Sequence, residues 1–171
     1  PFDRIPLIKI FNEIEKEFNG EITAVYNLDG LADKNFLIAF KRAFSATSKL
    51  LLSPVFADEV LRSKYKSFYY SNEQLEQILD YMEILEINSE IYFSIMPSIS
   101  NGENEKSKKY GDYLKSKYQN IKNYYLYEMD IEPASPWTFN PEKYGLNNFK
   151  AEFMEYYKTN RCIEKSFENN F

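Results

Sequence analysis

Three stretches decide the fold: Leu50-Leu51-Leu52-Ser53-Pro54, Ser71-Asn72-Glu73-Gln74-Leu75 with its continuation to Leu85, and Ile91-Tyr92-Phe93-Ser94-Ile95-Met96-Pro97. The first is a continuous apolar run stopped by Ser-Pro, the pattern of a strand buried on both faces. In the second, Ser71 and Gln74 form a capping box, because each side chain can satisfy a free backbone N–H of the other residue. Leu75, Ile78, Leu79, Met82 and Leu85 then recur at helical spacing and make one apolar stripe. The third is again a strand. A strand, a helix and a strand in that order need a crossover connection, which makes the two strands parallel.

Working outward, the same alternation continues. Leu7, Ile10, Phe11, Ile14 and Phe18 mark a helix ended by Asn19-Gly20, residues that tolerate the left-handed cap conformation. Ile22–Tyr26 reads as a strand closed by the turn Asn27–Gly30, and Phe36, Leu37, Phe40, Ala43 and Phe44 as the next helix face. Downstream, Asn101-Gly102 opens a helix carrying Tyr110, Tyr113, Leu114 and Tyr118. Tyr124–Ile131 is a fourth strand, and a Pro-rich loop runs from Glu132 to Pro141. A last helix holds Phe149, Phe153, Met154 and Tyr157. The expectation is a parallel α/β sheet of four strands with helices between them. Function then belongs at the strand C-termini: Tyr26–Asp29, Ser53–Val55, Ser94–Pro97 and Met129–Glu132. The strand at 22–26 should expose one edge.

Composition narrows the chemistry. The chain has 171 residues, no histidine and one cysteine, Cys162. That excludes a nucleophile paired with histidine, a histidine metal site, a disulfide within the chain and a multi-cysteine metal cluster. Lys+Arg 21 against Asp+Glu 26 gives 21 − 26 = −5. A net acid is a poor nucleic-acid binder, since that affinity comes from neutralising phosphates. The Lys-rich helix from Lys106 to Lys122 accordingly reads as a solvated face. No apolar run approaches the roughly 18 residues of a membrane span. The charged start PFDRIPLIKI does not resemble a signal peptide, so a reducing cytoplasm is expected. No Gly-x-Gly-x-x-Gly or P-loop follows any strand. The 15 Tyr and 14 Phe read as codon bias of an A/T-rich genome before a binding surface.

Ordered motifs add a resemblance. Leu52-Ser53-Pro54-Val55-Phe56-Ala57-Asp58-Glu59-Val60-Leu61-Arg62 followed by Tyr70-Ser71-Asn72-Glu73-Gln74-Leu75 resembles a block of the radical S-adenosylmethionine (AdoMet) enzymes that carry an N-terminal cobalamin-binding domain. There a strand ends in Ser-Pro-Glu-Ser-Gly, then an Asp/Glu-Glu-x-x-Arg, then Tyr-Ser-Asn-Glu-Glu-Leu. Tyr92–Pro97 is similar to their next strand, and Glu132-Pro133-Ala134-Ser135-Pro136 with Asn140-Pro141-Glu142-Lys143-Tyr144-Gly145 is similar to their Glu-Pro-Gly-Ser-Pro…Asn-Pro-Glu-Lys-Tyr-Gly segment. The resemblance implies the C-terminal part of a partial TIM-type barrel over residues 1–158, with helices on the outer face and a polar tail over 159–171. Its partner is the upstream half of the same domain, and its substrate a small molecule or peptide.

The resemblance implies AdoMet as cofactor, with a 4Fe–4S cluster and cobalamin supplied by sequence outside this chain. One cysteine cannot replace the family's Cys-x-x-x-Cys-x-x-Cys. Candidate AdoMet contacts are Ser53, Arg62, Ser94, Met96 and Asp130. Arg62 either pairs with the AdoMet carboxylate or is a surface arginine pairing with Asp58 or Glu59. Glu128 and Asp130 point either into the barrel or to an exposed edge. Val55-Phe56-Ala57 replaces the family's Glu-Ser-Gly and Ser98-Ile99-Ser100 its Gly-Glu-Thr, so a weakened AdoMet site is expected. The other reading is a non-catalytic scaffold that binds a partner.

Overall fold

The computed structural model of the chain describes residues 4–28, 30–66, 68–95, 101–128 and 139–144. The helices are α1 (Ile5–Phe18), α2 (Lys34–Ala43), α3 (Glu59–Tyr65), α4 (Asn72–Ile84) and α5 (Asn101–Lys117); the strands are β1 (Val25–Leu28), β2 (Lys49–Val55), β3 (Asn88–Ile95) and β4 (Ile121–Glu128). They form one sheet in the order β1-β2-β3-β4, and every neighbouring pair is parallel. β1 has only β2 beside it, so the expected edge is present among the described residues.

Local chemistry sets the element ends. Pro6 lies in the first turn of α1, where its missing N–H is no loss. Asn19 closes that helix in the left-handed conformation at φ 47°, as its stop signal requires. Asp33 caps α2 by accepting from Phe36 N at 2.9 Å. Ser71 and Gln74 make the full capping box of α4, Ser71 N to Gln74 Oε1 at 2.9 Å and Gln74 N to Ser71 Oγ at 3.1 Å.

Several boundaries differ from the sequence reading. β1 begins at Val25 and not Ile22, because Ile22–Ala24 is held by the loop before β2. Ser45 N donates to Ile22 O, Ala24 N to Ser48 Oγ, and the hydroxyls of Thr23, Ser45 and Thr47 lie 2.8–3.0 Å from one another. β2 continues through Ser53-Pro54 to Val55. Proline cannot donate to a ladder, and the register against β3 shifts there, between Leu52 and Val55. β4 starts at Ile121, three residues before the expected Tyr124. The seven-residue α3 was not anticipated at all; it is too short to show a period. The expected last helix and the Pro-rich loop from Glu132 up to residue 138 lie outside the described residues.

The core lies on one face of the sheet. Leu28, Leu50, Leu52, Ile91 and Phe93 are buried against Phe11, Phe36, Leu37, Phe40, Leu75, Leu79, Met82 and Leu114 of α1, α2, α4 and α5. Leu51, between two buried leucines, is half-buried and outside that cluster, so the triple-leucine strand is sealed on one face only. Gly111 permits the close approach of α5 to β4, since a Cβ there would stand 2.5 Å from the Tyr124 ring. Glu76 ties α4 to α5 through Tyr110 (3.2 Å), Tyr113 (2.9 Å) and Lys117 (2.7 Å). Burial pushes its carboxyl up, but these donors outweigh burial and hold it below the usual range. No helix among the described residues is long and apolar enough to cross a membrane.

Candidate functional site

Because side chains alternate across a strand, the face opposite the core is set by the register. Lys49 stands beside Val25 and Asn88, Leu51 beside Asn27 and Glu90, Tyr92 beside Tyr125, and Ser94 beside Tyr127. None of these belongs to the core cluster. The face is layered along the strands. At the strand N-terminal end, Lys49 Nζ bonds Glu90 Oε1 at 2.7 Å, and Tyr92 Oη donates to Glu90 Oε2 at 2.8 Å. The Lys49 hydrogen bond holds the Glu90 carboxyl below its ordinary range against the opposing effect of burial. Burial, then the bond to Glu90, push the Tyr92 phenol well above its ordinary value, so it stays a donor.

Toward the strand C-termini the face turns aromatic. The Tyr92 and Tyr125 ring centroids are 5.0 Å apart, Tyr92 and Tyr127 5.6 Å, and Tyr125 and Tyr127 5.7 Å, with interplanar angles of 26°, 10° and 31°. Tyr127 is 53% exposed. Ser53 and Ser94, both candidates from the sequence, sit half-buried at this same end on neighbouring strands. Sequence reasoning missed the tyrosine stack; the Tyr125/Tyr127 alternation was its only local signal. Glu128, paired with Ile95, is exposed and lies on the opposite side from Tyr125 and Tyr127, as the edge reading requires. Met96 and Asp130 lie outside the described residues.

Arg62 is not a surface arginine paired with Asp58 or Glu59. It is 0% exposed and serves the fold. Its Nε donates to Pro54 O (3.2 Å) and Phe56 O (3.0 Å), Nη1 to Tyr70 O (2.8 Å), and Nη2 to Phe56 O (2.5 Å) and Asn72 Oδ1 (2.6 Å). Its guanidinium also lies over the Tyr70 ring at 5.2 Å. Asp58 does not bind it. That carboxylate caps α3 through Val60 N and Leu61 N and meets Lys106 at 3.4 Å. Glu59 accepts from Asn72 N at 2.6 Å instead. The carbonyls Arg62 gathers belong to a strained turn. Val55 has φ 71°, and Phe56 N bonds Pro54 O at 2.9 Å across it. An i to i+2 bond around a positive-φ residue is the rare, strained γ-turn, and a β-branched residue there is a genuine outlier. Phe56 turns inward, 2% exposed, its ring 5.8 Å from Tyr65.

The donor set limits what cofactors this chain can hold. A 4Fe–4S cluster needs three thiolates and the chain offers one cysteine; among the described residues no three Asp, Glu or Cys side chains are grouped for a metal ion. These residues do not fit the cluster. They fit AdoMet only in part: the Ser53 and Ser94 hydroxyls can meet ribose oxygens, but the Arg62 guanidinium already serves the loop's own carbonyls. A concavity of about 1060 Å³ runs along the C-terminal half of α1 with Arg42. That helix end leads into the start of β1, so the concavity lies away from the strand C-termini. Comparison with protein-family models, with characterised proteins and with solved structures gave no match.

Proposed function

We propose that this chain is the C-terminal part of a radical AdoMet-type partial barrel, and that it supplies the barrel's ligand-facing wall. One observation supports this most: four consecutive parallel strands in sequential order carry an apolar core on one face and hydroxyls, tyrosines and a neutralised ion pair on the other. A doubly wound sheet reverses its strand order and covers both faces with helices. A sheet wound in one direction, with the helices of the described residues on one side, is compatible with the arc of a barrel, whose interior would be the opposite face.

On this reading the cluster, and any cobalamin, come from sequence outside the chain, and no step through them is assigned to these residues. Ser53 and Ser94 would meet a ligand at the rim. Arg62 positions the β2–α3 turn and binds no AdoMet carboxylate. A non-catalytic scaffold is the second reading, favoured by that same occupation of Arg62 and by Val55-Phe56-Ala57 at the rim.

Calorimetric titration of the folded chain with AdoMet tests the division of labour. On the open face, among the described residues, the AdoMet carboxylate finds no unpaired cation and its amine no unpaired carboxylate, since Lys49 and Glu90 bind each other. Each unpaired polar group costs about 1–3 kcal/mol. The dissociation constant should therefore be weaker than about 1 mM, where only about 4 kcal/mol of binding energy is available. Micromolar affinity would show that this chain holds a complete AdoMet site and would overturn the wall reading.

A further inference from the structure

We propose that the Tyr92–Tyr125–Tyr127 stack is a binding platform for an uncharged aromatic ring, seated at the C-terminal end of the open sheet face. The inference rests on the wall reading for its location and adds the class of ligand. Small-molecule sites combine apolar or aromatic walls with a few convergent polar groups, and in parallel sheets they lie at the strand C-termini. Both conditions meet here: three rings with centroids 5.0–5.7 Å apart, and the hydroxyl-bearing Ser53 and Ser94 at the same end.

Charge selects among ring ligands. On this face the ionised groups among the described residues are Lys49 and Glu90, and they neutralise each other at 2.7 Å. A phosphate or carboxylate ligand would find no unpaired cation among the described residues of this face, and a cationic ring no unpaired carboxylate among them. Saccharide hydroxyls are held best by ionised carboxylate acceptors, but Glu90 already serves Lys49 and Tyr92 through its two oxygens. What remains is π-surface and neutral hydroxyls. Aromatic pairs prefer offset or edge geometries with centroids 4.5–7 Å apart, and Tyr127, 53% exposed, leaves its ring open to such a partner.

The test titrates the full chain with N-acetyltryptophanamide, followed by NMR shifts of the Tyr92, Tyr125 and Tyr127 rings, with N-acetylleucinamide as a non-aromatic probe of the same charge. Saturable binding of the aromatic probe is expected, at least fivefold tighter than the leucine probe. Tyr127→Ala should weaken it about fivefold, while Tyr127→Phe, which keeps the ring, should stay within twofold. Tyr127 is largely exposed, so neither variant threatens the fold. Absence of saturable binding, equal affinity for the leucine probe, or an unaffected Tyr127→Ala variant would each overturn the platform. AdoMet is titrated separately, so failure of the platform leaves the wall reading standing, while failure of the wall reading shows itself as micromolar AdoMet affinity and is told apart from it.

Discussion

Replacing Arg62 by Met is expected to cost the chain about 3–5 kcal/mol of stability, because it removes the donors of a fully buried network. Pro54 O, Phe56 O, Tyr70 O and Asn72 Oδ1 all take hydrogen bonds from this guanidinium, which is 0% exposed. Two of those carbonyls flank Val55, whose positive φ costs about 1–3 kcal/mol and persists only while its surroundings hold it. Losing Arg62 therefore removes both the hydrogen bonds and the clamp on the strained turn. Arg62→Lys should recover less than half of the loss, since an ammonium cannot fork to acceptors on both sides. Urea unfolding followed by circular dichroism measures both variants. A loss below about 1 kcal/mol for Arg62→Met would mean that the turn holds itself.

Phe36→Ala should cost a comparable 3–5 kcal/mol, the range for removing a buried aromatic ring. Phe36 is 0% exposed and joins three elements: its ring lies 5.3 Å from Phe11 of α1, 5.6 Å from Tyr26 of β1 and 6.4 Å from Phe40 along α2. The Arg4 guanidinium lies over it at 4.9 Å. Few neighbours are small enough to collapse into the gap, since Phe11 already packs edge to face on Phe40 and Phe44, and Phe40 packs tilted against Phe44. The same urea experiment reads this variant. A near-neutral result would place the aromatic-rich α1–α2 seam outside the cooperative core.

Much of the architecture is local and was legible. Asn19-Gly20 and Ser71 with Gln74 each act within about one turn of helix, and the stripe through Leu75, Leu79 and Met82 within about two, so residue order alone placed α1 and α4. The parallel alternation followed from lengths. What escaped depends on groups far apart in the chain. Ile22–Ala24 looked like strand because its partners, Ser45 and Ser48, lie in a later loop. In sequence Arg62 reads either as an AdoMet contact or as a surface arginine paired with its neighbours Asp58 and Glu59, but both carboxylates are drawn to helix N-termini, Asp58 to α3 and Glu59 to Asn72 of α4. The tyrosine platform joins β3 to β4, and only the register brings Tyr92 beside Tyr125. Single-face burial of β2 was hidden as well, because Leu51 is as apolar as Leu50 and Leu52.

The proposal that this chain is one wall of a larger radical AdoMet-type barrel is tested by the coding sequence immediately upstream of the Pro1 codon. The claim expects that reading frame to continue upstream through further strand and helix segments, with Cys-x-x-x-Cys-x-x-Cys after the first strand. A frame that opens at Pro1, or that continues without those cysteines, would contradict it.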